Sequence, residues 1–109
     1  MAGRAARVSR QSALAQLAER IRTTQARVGV IGLGYVGLPL AVEFATEGFQ
    51  VTGIDLDRQR VTQVNAGRSY IPDVTSETIV KLMRSKRLLA TSTYEHLASL
   101  DAIIICVPT

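Results

Sequence analysis

The chain reads as α/β: a doubly wound parallel sheet, preceded by one N-terminal helix. Three features lead there. Short apolar runs of strand length alternate with stretches whose apolar residues recur at helical spacing, and such alternation implies parallel strands joined by right-handed crossovers. Three glycines, Gly32, Gly34 and Gly37, stand within six positions between the first strand and the helix after it. The last apolar run, "DAIIICVP", is continuous, as a strand covered on both faces must be.

Taken in order, residues 1–10 are small and basic, lack apolar periodicity and read as disordered. From Ser12 to about Thr23, Leu14, Leu17, Ala18 and Ile21 fall on one helical face. That face is small, so the helix is expected to dock on the body or on another subunit and not on a membrane surface. "RVGVI" is a short buried strand, and "VGLPLAVEFATE" a helix stopped by Gly48. "FQVTGID" is the second strand. "DRQRVTQVNAG" is a helix with Asp57 as N-cap and Gly67 as stop. "RSYIPD" is a loop, and "SETIVKLMRSKR" a helix capped by Thr75 or Ser76. "LLATS" is the third strand, "TYEHLAS" a short helix or turn, and "DAIIICVP" the fourth strand.

The 109 residues allow one small core. Two regions are expected: a basic N-terminal extension over 1–26 carrying the amphipathic helix, and a body over 27–109. The net charge of +4 is unevenly spread. Residues 1–27 carry +5 and residues 28–109 carry −1, so the excess belongs to a solvated arm and not to a nucleic-acid surface. No apolar run is long enough to span a membrane. The N-terminus lacks the apolar stretch of a signal peptide, which points to the cytoplasm. One cysteine, Cys106, permits neither a disulfide framework nor a cysteine metal cluster, and its place in an apolar run reads as a small core residue. His96 reads as a solvated residue of a polar turn.

The glycines carry the chemistry. G-x-G-x-x-G alone is a weak signal, but here it follows a strand, opens a helix, and is followed by Asp55 at the end of the next strand, 23 residues after Gly32. That is the arrangement of a Rossmann-type dinucleotide site. Gly32 permits the sharp turn, Gly34 clears room for a pyrophosphate, and Gly37 allows close helix packing. The free N–H groups and dipole of the first helical turn then face the phosphates, and Pro39 suits that turn. Asp55 is placed to accept both adenosine ribose hydroxyls and to repel a 2′-phosphate, which selects NAD over NADP. Arg58 and Arg60 complicate that choice, because a nearby arginine can accept a 2′-phosphate. Tyr35, between the glycines, either covers the cofactor or packs.

"GVIGLGYVGLPLAVEFATEGFQVTGIDLD" strongly resembles the start of the nucleotide-sugar 6-dehydrogenases, the family of UDP-glucose and UDP-N-acetylhexosamine dehydrogenases. "VNAGRSYIPDV" and "DAIIICVPT" agree in order and spacing, and the resemblance covers about residues 27–109. Tyrosine in "RSYIPD", where UDP-glucose enzymes tend to have proline, resembles the UDP-N-acetylglucosamine and UDP-N-acetylmannosamine branch. The resemblance implies oxidation of a sugar C6 alcohol to a carboxylate in two NAD-dependent steps through a cysteine-bound thiohemiacetal. It also implies a homo-oligomeric parent with a UDP-sugar domain. By motif position, Gly32, Gly34, Tyr35, Val36, Gly37, Asp55, Arg60 and Thr109 would contact NAD. The catalytic cysteine, lysine and asparagine of the family belong to segments past Thr109, and Cys106 does not match the nucleophile. The chain stops at the end of its fourth strand, which the strand order 3-2-1-4-5-6 places inside the sheet. Residues 27–109 therefore read as the N-terminal part of the Rossmann domain, about four strands. Three other readings stand beside this one: a dinucleotide-binding module without catalysis, a UDP-glucose 6-dehydrogenase, and a different Rossmann dehydrogenase.

Overall fold

The structure is a computed structural model that describes residues 14–21, 23 and 25–107. The disorder expected over 1–10 and the NAD contact expected of Thr109 lie outside these residues. Residues 14–21 are helical (α1). The body follows as β1 Arg27–Ile31, α2 Gly37–Thr46, β2 Gln50–Ile54, α3 Arg58–Asn65, α4 Ser76–Arg84, β3 Leu88–Thr91 and β4 Ala102–Ile105, with a single 3₁₀ turn at Leu97–Ser99. The four strands form one sheet of order β3-β2-β1-β4, every pair parallel, with Val28 opposite both Val51 and Ala102. The α/β, Rossmann-type reading of the sequence is the fold observed.

Local chemistry sets the element ends. In α2, Leu38, Ala41, Val42 and Ala45 repeat at helical spacing and are all buried. The Asp57 carboxylate caps α3 by accepting the Gln59 and Arg60 N–H groups, and the Thr75 hydroxyl caps α4 by accepting the Thr78 N–H. Helices α2, α3 and α4 close with the same pair of reversed bonds. The Gly48 N–H donates to Ala45 and Phe49 to Phe44, Gly67 to Val64 and Arg68 to Gln63, Lys86 to Met83 and Arg87 to Leu82. This closure needs one left-handed residue. Gly48 and Gly67 supply it without strain, and Lys86 adopts it at φ 59°. Helix α4 therefore ends at Arg84, short of the Arg87 expected from sequence.

One face of the sheet is dry. Val28, Val30, Val51, Leu88 and Ala90 join Leu33, Leu38, Val64, Ile79 and Leu82 in a single core. Each fully buried leucine or isoleucine there contributes about 1.5–3 kcal/mol. The free edge of β3 is partly paired by Asn65, whose side chain donates to the Ala90 carbonyl (2.9 Å) and accepts its N–H (3.1 Å). At the opposite edge the strand order is the one expected from sequence, with β4 beside β1 and no further strand among the described residues. β4 pairs with β1 alone, and Ile103 and Ile105 are exposed. Among the described residues, nothing supplies the two-sided cover that its apolar run implies.

Of the two surfaces expected to cover helix α1, the body and another subunit, the body does not cover its apolar face: Leu14 and Ile21 stay exposed. Polar contacts hold its C-terminal end instead: Arg20 pairs with Asp101 at 2.8 Å, and the Gln25 and Ala26 N–H groups donate to the Arg20 carbonyl. The Arg27 N–H also donates to Asp101 (2.8 Å). That bond, helped by Arg20 and opposed by slight desolvation, holds the Asp101 carboxyl below its ordinary value.

Candidate functional site

The loop from Gly32 to Gly37 leaves the C-terminal end of β1, where parallel sheets place their ligands. Gly32 turns the chain with φ 95° and donates its N–H to the Ile54 carbonyl (2.7 Å). A side chain there would also run into the Cys106 carbonyl, a contact invisible in the local sequence because it comes from the exit of β4. Leu33 is buried against the bare face of Gly53. Gly37 lies against the Gly32 carbonyl, so the close approach expected of this glycine is made to the turn itself. A Cβ on Gly34 would meet nothing nearer than the Arg60 guanidinium, at 3.6 Å.

These residues surround one cleft of about 190 Å³, lined by Gly32, Gly34, Tyr35, Val36, Gly37, Arg60, Cys106 and Val107. Tyr35 is 79% exposed at its rim and does not pack into the body. Cys106 packs against the core, as its apolar setting suggests, and also lines the cleft. Along the loop, the Leu38 N–H bonds to Gly34 and the Leu40 N–H to Val36. The N–H groups of Gly34, Tyr35, Val36 and Gly37 find no acceptor among the described residues. Unpaired donors at the positive end of a helix dipole suit an anion, and phosphate above all.

Asp55, 8% exposed, does not line this cleft and is joined to it through Arg60. Its Oδ2 accepts the Leu33 N–H (2.8 Å) and an Arg60 N–H (3.3 Å), and its Oδ1 accepts the Asp57 N–H (2.8 Å). Burial opposes the charge, but the Asp57 and Leu33 N–H groups and Arg60 outweigh it and hold the carboxyl below its ordinary value. The structure separates the two arginines. Arg60 reaches Asp55 and, at 3.8 Å, Asp57, whereas Arg58 lines a separate surface groove with Gln59, Thr62 and Gln63.

The sequence reading used Tyr70 as a branch marker and gave it no place in the site. Its hydroxyl donates to the Leu33 carbonyl at 2.6 Å, across 37 positions of sequence. Burial pushes its phenol up to about 12. A larger cleft of about 380 Å³ is lined by Arg27, Gln50, Lys86 and Leu100 among others. It lies toward the N-terminal ends of the strands and contains none of the glycine-loop residues.

Residues 26–109 match the profile of the UDP-glucose/GDP-mannose dehydrogenase family, NAD binding domain. Over 85 residues the chain is 44% identical to a UDP-N-acetyl-D-mannosamine dehydrogenase of Methanococcus maripaludis, covering 76% of this chain and 19% of that one. Over 86 residues it is 41% identical to a UDP-N-acetyl-D-glucosamine 6-dehydrogenase of Salmonella typhi, covering 78% and 19%. The structure of a UDP-glucose dehydrogenase from Pyrobaculum islandicum superimposes with a TM-score of 0.68 at 38% identity, covering 75% of this chain and 19% of that one. The chain thus spans about a fifth of the length of the relatives it matches.

Proposed function

The chain belongs to the UDP-glucose/GDP-mannose dehydrogenase family through its NAD-binding domain, and from that premise we propose that it is the NAD-binding portion of a UDP-N-acetylhexosamine 6-dehydrogenase. The observation that carries the reading is the cleft at the β1 exit, lined by Gly34, Tyr35, Val36 and Gly37, whose N–H groups find no acceptor among the described residues. These residues fit a dinucleotide. In the proposed pose the pyrophosphate lies along Gly34–Gly37, Arg60 and Tyr35 flank it, and Asp55 takes the adenosine ribose. Thr109 completes the contacts by motif position. Bound there, NAD would supply the hydride acceptor that oxidation of a sugar C6 alcohol requires. The residues described here bind and orient it, and the nucleophile that a two-step alcohol-to-acid oxidation requires is supplied elsewhere in the parent enzyme.

Two 40%-class relatives act on UDP-N-acetylhexosamines by name, which supports that substrate class over UDP-glucose. The test is NADH absorbance with UDP-N-acetylglucosamine, UDP-N-acetylmannosamine and UDP-glucose. The intact enzyme should reduce NAD with an N-acetylated sugar, and residues 1–109 alone should form no NADH with any of the three. Sustained turnover by residues 1–109 would overturn the assignment of the nucleophile to another segment.

Helix α1 contacts the body at the starts of β1 and β4, the end of the sheet opposite the glycine loop. Its ion pair is half exposed, and such pairs are worth about 0–1 kcal/mol. Removing residues 1–22 should therefore change NAD affinity less than about twofold, since a tenfold change would need about 1.4 kcal/mol. A large loss of affinity, with the fold intact by circular dichroism, would show that α1 shapes the site.

A further inference from the structure

Leu33 sits between the first two glycines, and both of its main-chain polar groups are held by side chains. Asp55 takes its N–H at 2.8 Å, and the Tyr70 hydroxyl donates to its carbonyl at 2.6 Å. The Leu33 side chain is fully buried, so the peptide on each side of Gly32–Gly34 is fixed by three independent contacts. We propose that Tyr70 is a positioning residue for the pyrophosphate loop, acting through the Leu33 carbonyl to keep the first helical N–H groups open to the cofactor. The proposal rests on the NAD reading of the cleft.

The geometry explains how one hydroxyl could do this. An α-helix pairs each N–H with the carbonyl four residues back, so Leu33 is the carbonyl that Gly37 would use if α2 began earlier. That bond is not made. The Tyr70 hydroxyl fixes the orientation of the Leu33 peptide from which α2 departs, and in that orientation the Gly37 N–H is left as one of the donors suited to a phosphate. Tyr70 is itself held in place. It is flanked by Ser69, whose hydroxyl bonds to both the N–H and the carbonyl of Ile71. The Ser69 N–H in turn donates to the Ser76 hydroxyl at the start of α4. The loop therefore presents the phenol from a fixed base. The phenol keeps its proton throughout the working range, because its pKa is raised to about 12 by burial.

The test compares Tyr70→Phe with Ile71→Val in the intact enzyme, titrating adenosine, ADP and NAD by calorimetry and measuring kcat and KM for NAD. Tyr70→Phe keeps the ring and removes only the donor. NAD and ADP affinity should fall roughly tenfold, the size of one lost hydrogen bond in a phosphate-facing loop. Adenosine affinity should be unchanged, and KM for NAD should rise with kcat nearly constant. Ile71→Val trims a buried side chain of the same loop without touching the phenol and should leave all three affinities unchanged. Unchanged NAD and ADP affinity in Tyr70→Phe would overturn the proposal. So would an equal loss for adenosine, a matching loss in Ile71→Val, or failure of Tyr70→Phe to fold, because the contact would then be serving the fold at large. Failure of the unsubstituted enzyme to bind NAD would overturn the cofactor reading itself, and that result is visible before any variant is made.

Discussion

Replacing Gly37 by alanine should abolish measurable NAD binding by the intact enzyme and cost about 3 kcal/mol of stability, the upper part of the range for overpacking a closed site. The new Cβ would overlap the Gly32 carbonyl oxygen and carbon, and would also touch the Cys106 side chain at 3.5 Å. The first two are backbone atoms in a turn whose N–H is tied to Ile54, so neither can swing aside. Alanine does favour a helix over glycine, by up to about 1 kcal/mol, but the overlap is the larger effect and sets the sign. Relief requires the start of α2 to move off the turn, and the unpaired N–H groups that face the cleft move with it. Gly34→Ala separates packing from binding. Its Cβ would meet only the Arg60 guanidinium at ordinary contact distance, 3.6 Å, so the fold should stand while the pyrophosphate loses its clearance. Denaturant unfolding and calorimetric titration check both variants. A Gly37→Ala enzyme that binds NAD within a few-fold of the parent would refute the packing argument.

Most of the fold was legible because its signals are local. Asp57 and Thr75 cap their helices as side-chain chemistry dictates, and Gly48 and Gly67 stop theirs through a left-handed residue. Helix α4 runs long in the sequence reading because its closing residue is Lys86, which carries no glycine signal although it makes the same closure. The periodicity of helix α1 predicts an amphipathic face that docks on the body or on another subunit. Periodicity reports which residues share a face and not whether a partner covers it, and Leu14 and Ile21 are exposed. The site divides in the same way. The glycines and Asp55 follow a spacing that sequence displays. The Tyr70–Leu33 bond joins residues 37 positions apart, and the Cys106 carbonyl reaches Gly32 from the end of β4. Such contacts have no local signature and emerge only when the sheet brings the segments together.

Asp55→Ala should weaken NAD binding by about 1.5–3 kcal/mol, the worth of hydrogen bonds to a charged acceptor. The structure refines how those bonds would form. Each carboxylate oxygen offers two lone pairs. Oδ2 already serves Leu33 and Arg60, and Oδ1 serves Asp57. One site on Oδ1 is open to a ribose hydroxyl, and the second becomes available when Arg60, whose side chain is 42% exposed, swings off Oδ2. Arg60 faces two carboxylates, Asp55 and Asp57, and Arg58 lies elsewhere, so the local balance is negative and a 2′-phosphate is repelled. The intact enzyme should therefore prefer NAD to NADP, and equal turnover with the two cofactors would refute the role given to Asp55. Stability responds separately. Losing the carboxylate strands the buried Leu33 N–H, at a cost of about 1–3 kcal/mol. Because the folded carboxyl sits below its unfolded value of 3.8, its ionised form stabilises the protein above that pH, and the contribution is lost as pH falls through the depressed folded value. Asp55→Asn should flatten this acid limb without removing it, since Asp101 is depressed in the same direction. Urea unfolding followed from neutral pH, where carboxylates are ionised, down through the acid range below their ordinary value checks the point. An acid limb of unchanged steepness in Asp55→Asn would mean that Asp55 gains no stability from its charge.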